Sequence, residues 1–322
     1  MTLLYFPSKS QAITAVLPYP GTNGVGTLGF YLDANGYPRD AILVDGVPVA
    51  FLYDDFWSYS AKILDAVQDA GYIPSDFGHY DFSTGTGGLD LLLYTGAAGQ
   101  DNLGVGPSGT NNFEDPVINK NVSTFEGWWG QDDQLNDSTI TGVNGPVTVG
   151  QVLNYLHEFD PDNNIPVFYM DLNQTGAAAS LLLSGEVMII DGSTGSVKHT
   201  WAFDTLSQTG DGDYDRDAQA LAFGEVSLTG DSGTVYSVDH NKGSGKPDFI
   251  AFCPTMDLSA WGANDLFVTR FYLAGLNNGP EEIFLTGTIS PGGPPIPEPA
   301  TMILLGTGLL GLAAIGRKKF RK

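Results

Sequence analysis

The chain has 322 residues and a formal net charge of −23, with 14 Lys and Arg against 37 Asp and Glu. That balance excludes an electrostatic nucleic-acid binder and opposes adhesion to anionic lipid. With 42 Gly, 11% aromatics and only 16% charged residues, the composition is not that of a disordered acidic tail. It describes a folded body rich in turns, of a size for one large domain or two ordinary ones.

Residues 1–15 form an N-terminal segment. Met1 to Phe6 is apolar but too short for the core of an export signal, and no cation precedes it. Ser10-Gln11-Ala12 has the small-x-small form of a cleavage site. The segment is expected to be the remnant of a signal peptide whose greater part is encoded upstream.

Residues 16–289 read as a β-rich body, with a subdivision conceivable near 145. Predicted strands are 27–32, 41–44, 47–53, 89–94, 165–171, 180–190, 197–204, 220–228, 234–238, 249–253, 266–273 and 282–286. Asn35-Gly36 and Asp45-Gly46 mark turns. Asp191-Gly192 and Thr194-Gly195 close a predicted meander through 165–171, 180–190 and 197–204. Val197, His199, Trp201 and Phe203 alternate with Lys198 and Thr200, so His199 is expected on the apolar face, in the core. The Gly, Asn and Asp content of 87–150 predicts long loops.

Two amphipathic helices interrupt the strands. Phe56, Tyr59, Ile63, Leu64 and Val67 fall at helical spacing, with Asp54 or Asp55 as the cap and Gly71 past the end. Val149, Val152, Leu153 and Leu156 repeat the pattern behind a Thr148/Gln151 capping box. The predicted architecture is mainly β: a large β-sandwich or jelly-roll-like body with two short helices.

No catalytic signature stands out. His79, His157, His199 and His240 lack metal-ligand spacing, and Gly-x-Ser-x-Gly does not occur. The lone Cys253 lies in an apolar run and reads as a buried structural thiol. Adjacent acids (Asp54-Asp55, Glu114-Asp115, Asp132-Asp133, Glu281-Glu282) are too numerous to single out a glycosidase pair. Asp211, Asp213, Asp215 and Asp217 are spaced two apart in a Gly-flanked loop, which reads either as a solvated acidic turn or as a set of hard oxygen ligands for Ca²⁺. The loop is not an EF-hand, because Arg216 replaces the turn glycine and Ala222 the bidentate acid. Asp160, Asp162 and Asn164 form a weaker second cluster. Trp128-Trp129 sits in a Gly/Asp-rich stretch where neighbouring side chains point oppositely, so one ring is a candidate for sugar stacking, with core packing of both rings the favoured reading.

The C-terminus is tripartite. Residues 290–299 are a Pro/Gly linker ending in Pro297-Glu298-Pro299. Residues 300–316 are uncharged, with Leu304, Leu305, Leu309, Leu310, Leu312 and Ile315, about 25 Å if helical and just long enough to span a bilayer. Arg317, Lys318, Lys319, Arg321 and Lys322 close residues 317–322 and are expected on the cytoplasmic side. Without residues 297–322 the balance is 9 Lys and Arg against 36 Asp and Glu, a net −27.

The order of Pro-Glu-Pro, short apolar helix and basic cluster resembles the PEP-CTERM sorting signal. The resemblance implies a membrane-embedded transpeptidase partner, the exosortase, which cuts near the motif. It also implies a protein exported from a Gram-negative bacterium, held transiently in the inner membrane, then delivered to the surface. The stretch from Val167 through Gly176, with Trp201 to Asp204, resembles segments of uncharacterised PEP-CTERM proteins. The family's setting implies a non-catalytic component of the exopolysaccharide or biofilm matrix. The alternative is a Ca²⁺-dependent carbohydrate-binding module or a carbohydrate-active enzyme on the same anchor.

Overall fold

A computed structural model describes residues 15–20, 25–32, 38–80, 89–96, 117–120, 122–130, 146–172, 182–204, 214–215, 227–229, 235–237, 246–276 and 279–290. The chain is mainly β with two short helices, as its patterning predicts. Its first half contains β1 (Ala15–Val16), β2 (Thr27–Leu32), β3 (Pro38–Val44), β4 (Val47–Tyr53), β5 (Phe56–Ser60) and α1 (Ala61–Asp69). β6 (Leu89–Gly96), β7 (Val117–Lys120), β8 (Thr124–Trp129) and α2 (Val149–Leu156) follow. Then come β9 (Val167–Asp171), β10 (Leu182–Ile190), β11 (Val197–Phe203), β12 (Ser227–Thr229) and β13 (Val235–Ser237). β14 (Phe249–Phe252), β15 (Leu266–Ala274), β16 (Pro280–Thr286) and β17 (Ile289–Ser290) complete the described elements.

A nine-stranded sheet runs β2-β3-β4-β5-β14-β9-β16-β6-β7, and a four-stranded sheet runs β11-β10-β15-β8. Both combine strands from before and after residue 145. Two-stranded pairs are β12-β13 and β1-β17. The central strands β5, β9 and β14 are buried along their whole length, as near-continuous apolar runs require. The two larger sheets face each other through aromatic rings: Phe168 meets Phe271 at 6.2 Å and Phe56 meets Phe203 at 5.5 Å between centroids. Each ring buried in this way contributes about 2–3 kcal/mol.

Local chemistry explains the turns and caps. Asp45 and Gly46 both have positive φ, the twist a tight β3–β4 hairpin needs. At α2 the capping box forms as predicted, with Gln151 N–H donating to Thr148 Oγ1 at 3.2 Å and Gln151 Oε1 accepting from Thr148 N–H at 2.8 Å. Gly71 ends α1 at φ +85°: its N–H donates to Gln68 O, and Tyr72 N–H donates to Val67 O, the paired bonds of a Schellman cap.

Three expectations are corrected. Phe56 to Ser60 is the strand β5, and α1 starts only at Ala61. Its cap is Ser60, whose Oγ accepts from Ile63 N–H. Asp54 and Asp55 instead turn β4 into β5, with Asp55 Oδ2 accepting from Ala202 N–H at 2.9 Å. The predicted meander divides between sheets: β10 and β11 are a hairpin, but β9 lies in the larger sheet. Finally, His199 is exposed rather than in the core, because β11 emerges from the sandwiched region at its N-terminal end. Its ring stacks on Trp261 at 5.6 Å and meets the edge of Trp201 at 4.5 Å.

The stretch 87–150 holds β7 and β8 as well as segments outside the described residues. Residues 300–316 also lie outside them; among the described residues no helix is long and apolar enough to cross a membrane.

Candidate functional site

Strand alternation builds one polar cluster on the face of the four-stranded sheet that points away from the larger sheet. Trp128 lies opposite Arg270, and Arg270 lies opposite Glu186, so three adjacent strands present one row. Arg270 Nε donates to Glu126 Oε1 at 2.9 Å and Nη1 donates to Glu186 Oε1 at 3.0 Å. Nη2 also donates to Glu126. The guanidinium lies 4.6 Å from the Trp128 ring centroid and 4.9 Å from that of Tyr214. Tyr214 Oη is 3.2 Å from Ser184 Oγ, which ties the residue after the predicted acidic loop's third position to β10. Tyr272, opposite Glu126, extends the row.

Of the Trp128-Trp129 pair, Trp129 is 1% exposed against Phe267, while Trp128 is half-buried in this cluster. One side of the Trp128 ring already carries Arg270.

Of the predicted Ca²⁺ ligands, Asp211, Asp213 and Asp217 lie outside the described residues. Asp215 is exposed, and its N–H donates to the buried Asp204 carboxylate at 2.8 Å. In the weaker cluster, Asp160 Oδ1 accepts from Asp162 N–H and Asn164 Oδ1 lies 2.9 Å from His157 Nε2. The first is local turn chemistry and the second is a side-chain contact back to the C-terminal end of α2. Among the described residues no group of three His, Cys, Asp or Glu could hold a metal ion. Pro297, Glu298, Pro299 and the cations from Arg317 to Lys322 lie outside the described residues, as do Glu114, Asp115, Asp132 and Asp133.

A second row crosses the end of the larger sheet. Glu282 is opposite Asp171 on one side and Tyr94 on the other, so the three side chains leave the same face. Burial pushes the Glu282 carboxyl up to about 7 and the Tyr94 hydroxyl up to about 12. Asp248, on the neighbouring strand's lead-in, accepts from Leu172 N–H at 2.8 Å. Glu281, one residue earlier, points to the opposite face and is fully buried.

Cys253 is fully buried and its thiol is pushed up to about 12, chiefly by desolvation. It is an inert packing group at neutral pH, with Thr255 Oγ1 3.1 Å away.

The sequence singles out Trp128 and Glu282 but assembles neither row. The available signal was a lone charge inside an apolar run: Arg270 in β15, Glu186 in β10 and Asp171 in β9.

A domain of unknown function (DUF8239) matches residues 43–270, and the PEP-CTERM protein-sorting motif matches residues 295–319. No curated protein and no solved structure matches.

Proposed function

The chain belongs to the DUF8239 family, and from its sorting motif we infer an exported, exosortase-sorted protein of a Gram-negative bacterium. We propose that its acidic body is a non-catalytic component of the extracellular polysaccharide matrix. The observation that carries this reading is the motif at residues 295–319. Residues 300–316 would hold the chain in the inner membrane until the exosortase acts, with the body outside. A body of net −27 would stay hydrated and apart from anionic lipid while embedded in polysaccharide. The test is the intact mass of the protein recovered from the cell surface. A C-terminus near Pro297 to Pro299, with added glycan mass, is expected. An unmodified chain through Lys322 would reduce the tail to a plain anchor.

A second reading, a carbohydrate-binding module, is favoured by half-buried Trp128 and Tyr272 on one sheet face beside the charged groups of Glu126 and Arg270. Affinity electrophoresis in purified exopolysaccharide would decide it: Trp128→Ala should abolish retardation if the face binds sugar. Ca²⁺ at Asp211, Asp213, Asp215 and Asp217 would support such a module. Calorimetry on the wild type and on an Asp213→Ala/Asp215→Ala variant should then give different heats.

A further inference from the structure

The four described outer strands of the two larger sheets are not alike. β7 carries Lys120, β8 carries Glu126, and β11 carries Lys198 and pairs with β10 through an irregular register. Charges and bulges of this kind keep a free edge from pairing with another chain. β2, which reads Thr27-Leu28-Gly29-Phe30-Tyr31-Leu32, has neither. It pairs with β3 in an unbroken register, and among the described residues no strand lies on its other side. Pro20 bridges only Gly26, the residue before the strand. Leu28 and Phe30, two apart, leave the same face. At 65% and 70% they are the most exposed large apolar side chains among the described residues. Gly29 faces the other way, where a Cβ would strike Leu43 Cδ1, and on that side Thr27 Oγ1 donates to Leu43 O at 3.3 Å.

We propose that β2 is a self-association edge: two copies of this chain pair β2 with β2, antiparallel about a twofold axis, and the nine-stranded sheet of one body continues into the other. An isologous contact has to be complementary to itself. In a register centred on Gly29, Leu28 of each copy lies opposite Phe30 of the other. Both exposed side chains then gain an apolar partner on one face, and two glycines meet at the axis. The strand has no charge with which to attract a charged partner, and none with which to repel its own copy. Asp40, the exposed acid opposite Phe30, stands three strand spacings, about 14 Å, from the β3 of the second copy. That exceeds the Debye length of about 10 Å at 0.1 M salt. The net charge of −23 on each chain still opposes the approach at low salt, so the pairing tightens as salt rises. It does not depend on the matrix role proposed above.

The test is sedimentation equilibrium of the full chain in a mild detergent, over a range of concentrations. A monomer–dimer equilibrium is expected, and its dissociation constant should fall as NaCl rises from about 0.01 M to about 0.3 M. Phe30→Glu changes a side chain that the fold leaves in solvent and should weaken the dimer by about tenfold or more. Val197→Glu, at a comparably exposed apolar position on β11, should leave it unchanged. A cooperative melt shows that each variant is folded. The register is read by disulfide trapping: a mixture of Leu28→Cys and Phe30→Cys chains should crosslink faster than either variant alone, with the buried Cys253 silent. A wild type that is monomeric at every concentration and salt would overturn the proposal. So would a dimer indifferent to Phe30→Glu, or one lost equally in Val197→Glu. Crosslinking no faster in the mixture would overturn the register centred on Gly29.

Discussion

Arg270 concentrates more interactions than any single feature of the sequence suggests. Its guanidinium joins Glu126 and Glu186 across three strands and lies against two aromatic rings. Glu186 is only 8% exposed, so losing its partner strands a nearly buried carboxylate. Arg270→Ala should therefore destabilise the body by about 2–4 kcal/mol, while Glu126→Gln, at a more exposed position, should cost about 1 kcal/mol or less. Urea unfolding of both variants checks the order. Glu282 makes the opposite kind of prediction. Its carboxyl sits at about 7, above the ordinary 4.5, because burial disfavours the charge. The folded state then holds a proton that the unfolded state has released between those values, so stability falls as pH rises from about 4.5 to about 7. Glu282→Gln should be neutral near pH 4 and stabilising at pH 8, by no more than about 3 kcal/mol. Thermal melts across that range would show the wild type losing stability and the variant holding it; parallel curves would mean Glu282 is solvated. Strand alternation allows the Trp128-Trp129 contrast, although core packing of both rings is the reading the sequence favours. The Arg270 row is not legible, because alternation says which face a side chain takes but not which strand lies beside it.

Elements with an unbroken local code are legible in the sequence, whereas the choice of strand partners is not. α2 carries its own start signal, and Thr148→Ala removes an acceptor for the first turn, for an expected loss of about 1 kcal/mol. Ser60→Ala should cost a similar amount at α1, although nothing in the spacing of Phe56, Tyr59 and Ile63 marks Ser60 as the cap. Equal melting temperatures for wild type and variant would show that the side-chain caps are dispensable. Those apolar spacings satisfy a helix, yet Phe56 to Ser60 pairs with strands on both sides, and two ladders outweigh a local periodicity. The same blindness split the expected meander. β9, β10 and β11 are each plain as strands, but β9 pairs with β14 and β16, which arrive some eighty residues or more later in the chain. β1 and β17 are two residues each, too short for any pattern to register.

For the molecule as a whole, charge is the quantity the sequence states most directly. Nine cations cannot neutralise 36 acids in residues 1–296, whatever the local pairs achieve. Lys198 already serves both Asp191 and Asp265, at 3.1 and 2.6 Å. Exposed pairs contribute little and weaken in salt, the one to buried Asp265 less so, whereas repulsion summed over the body is relieved by it. The tail-free body should therefore melt several degrees higher in about 0.3 M NaCl than in about 0.01 M. A fall in melting temperature would mean that the paired groups dominate the balance. Divalent ions then separate screening from binding. At matched ionic strength Mg²⁺ and Ca²⁺ screen alike, but only a site built from hard oxygens with room for a larger coordination shell prefers Ca²⁺. An excess stabilisation by Ca²⁺ that rises with its concentration, and is lost in Asp213→Ala/Asp215→Ala, would place a specific ion in the acidic loop. Identical curves for the two ions would leave the loop as one more part of a surface kept soluble by its own charge.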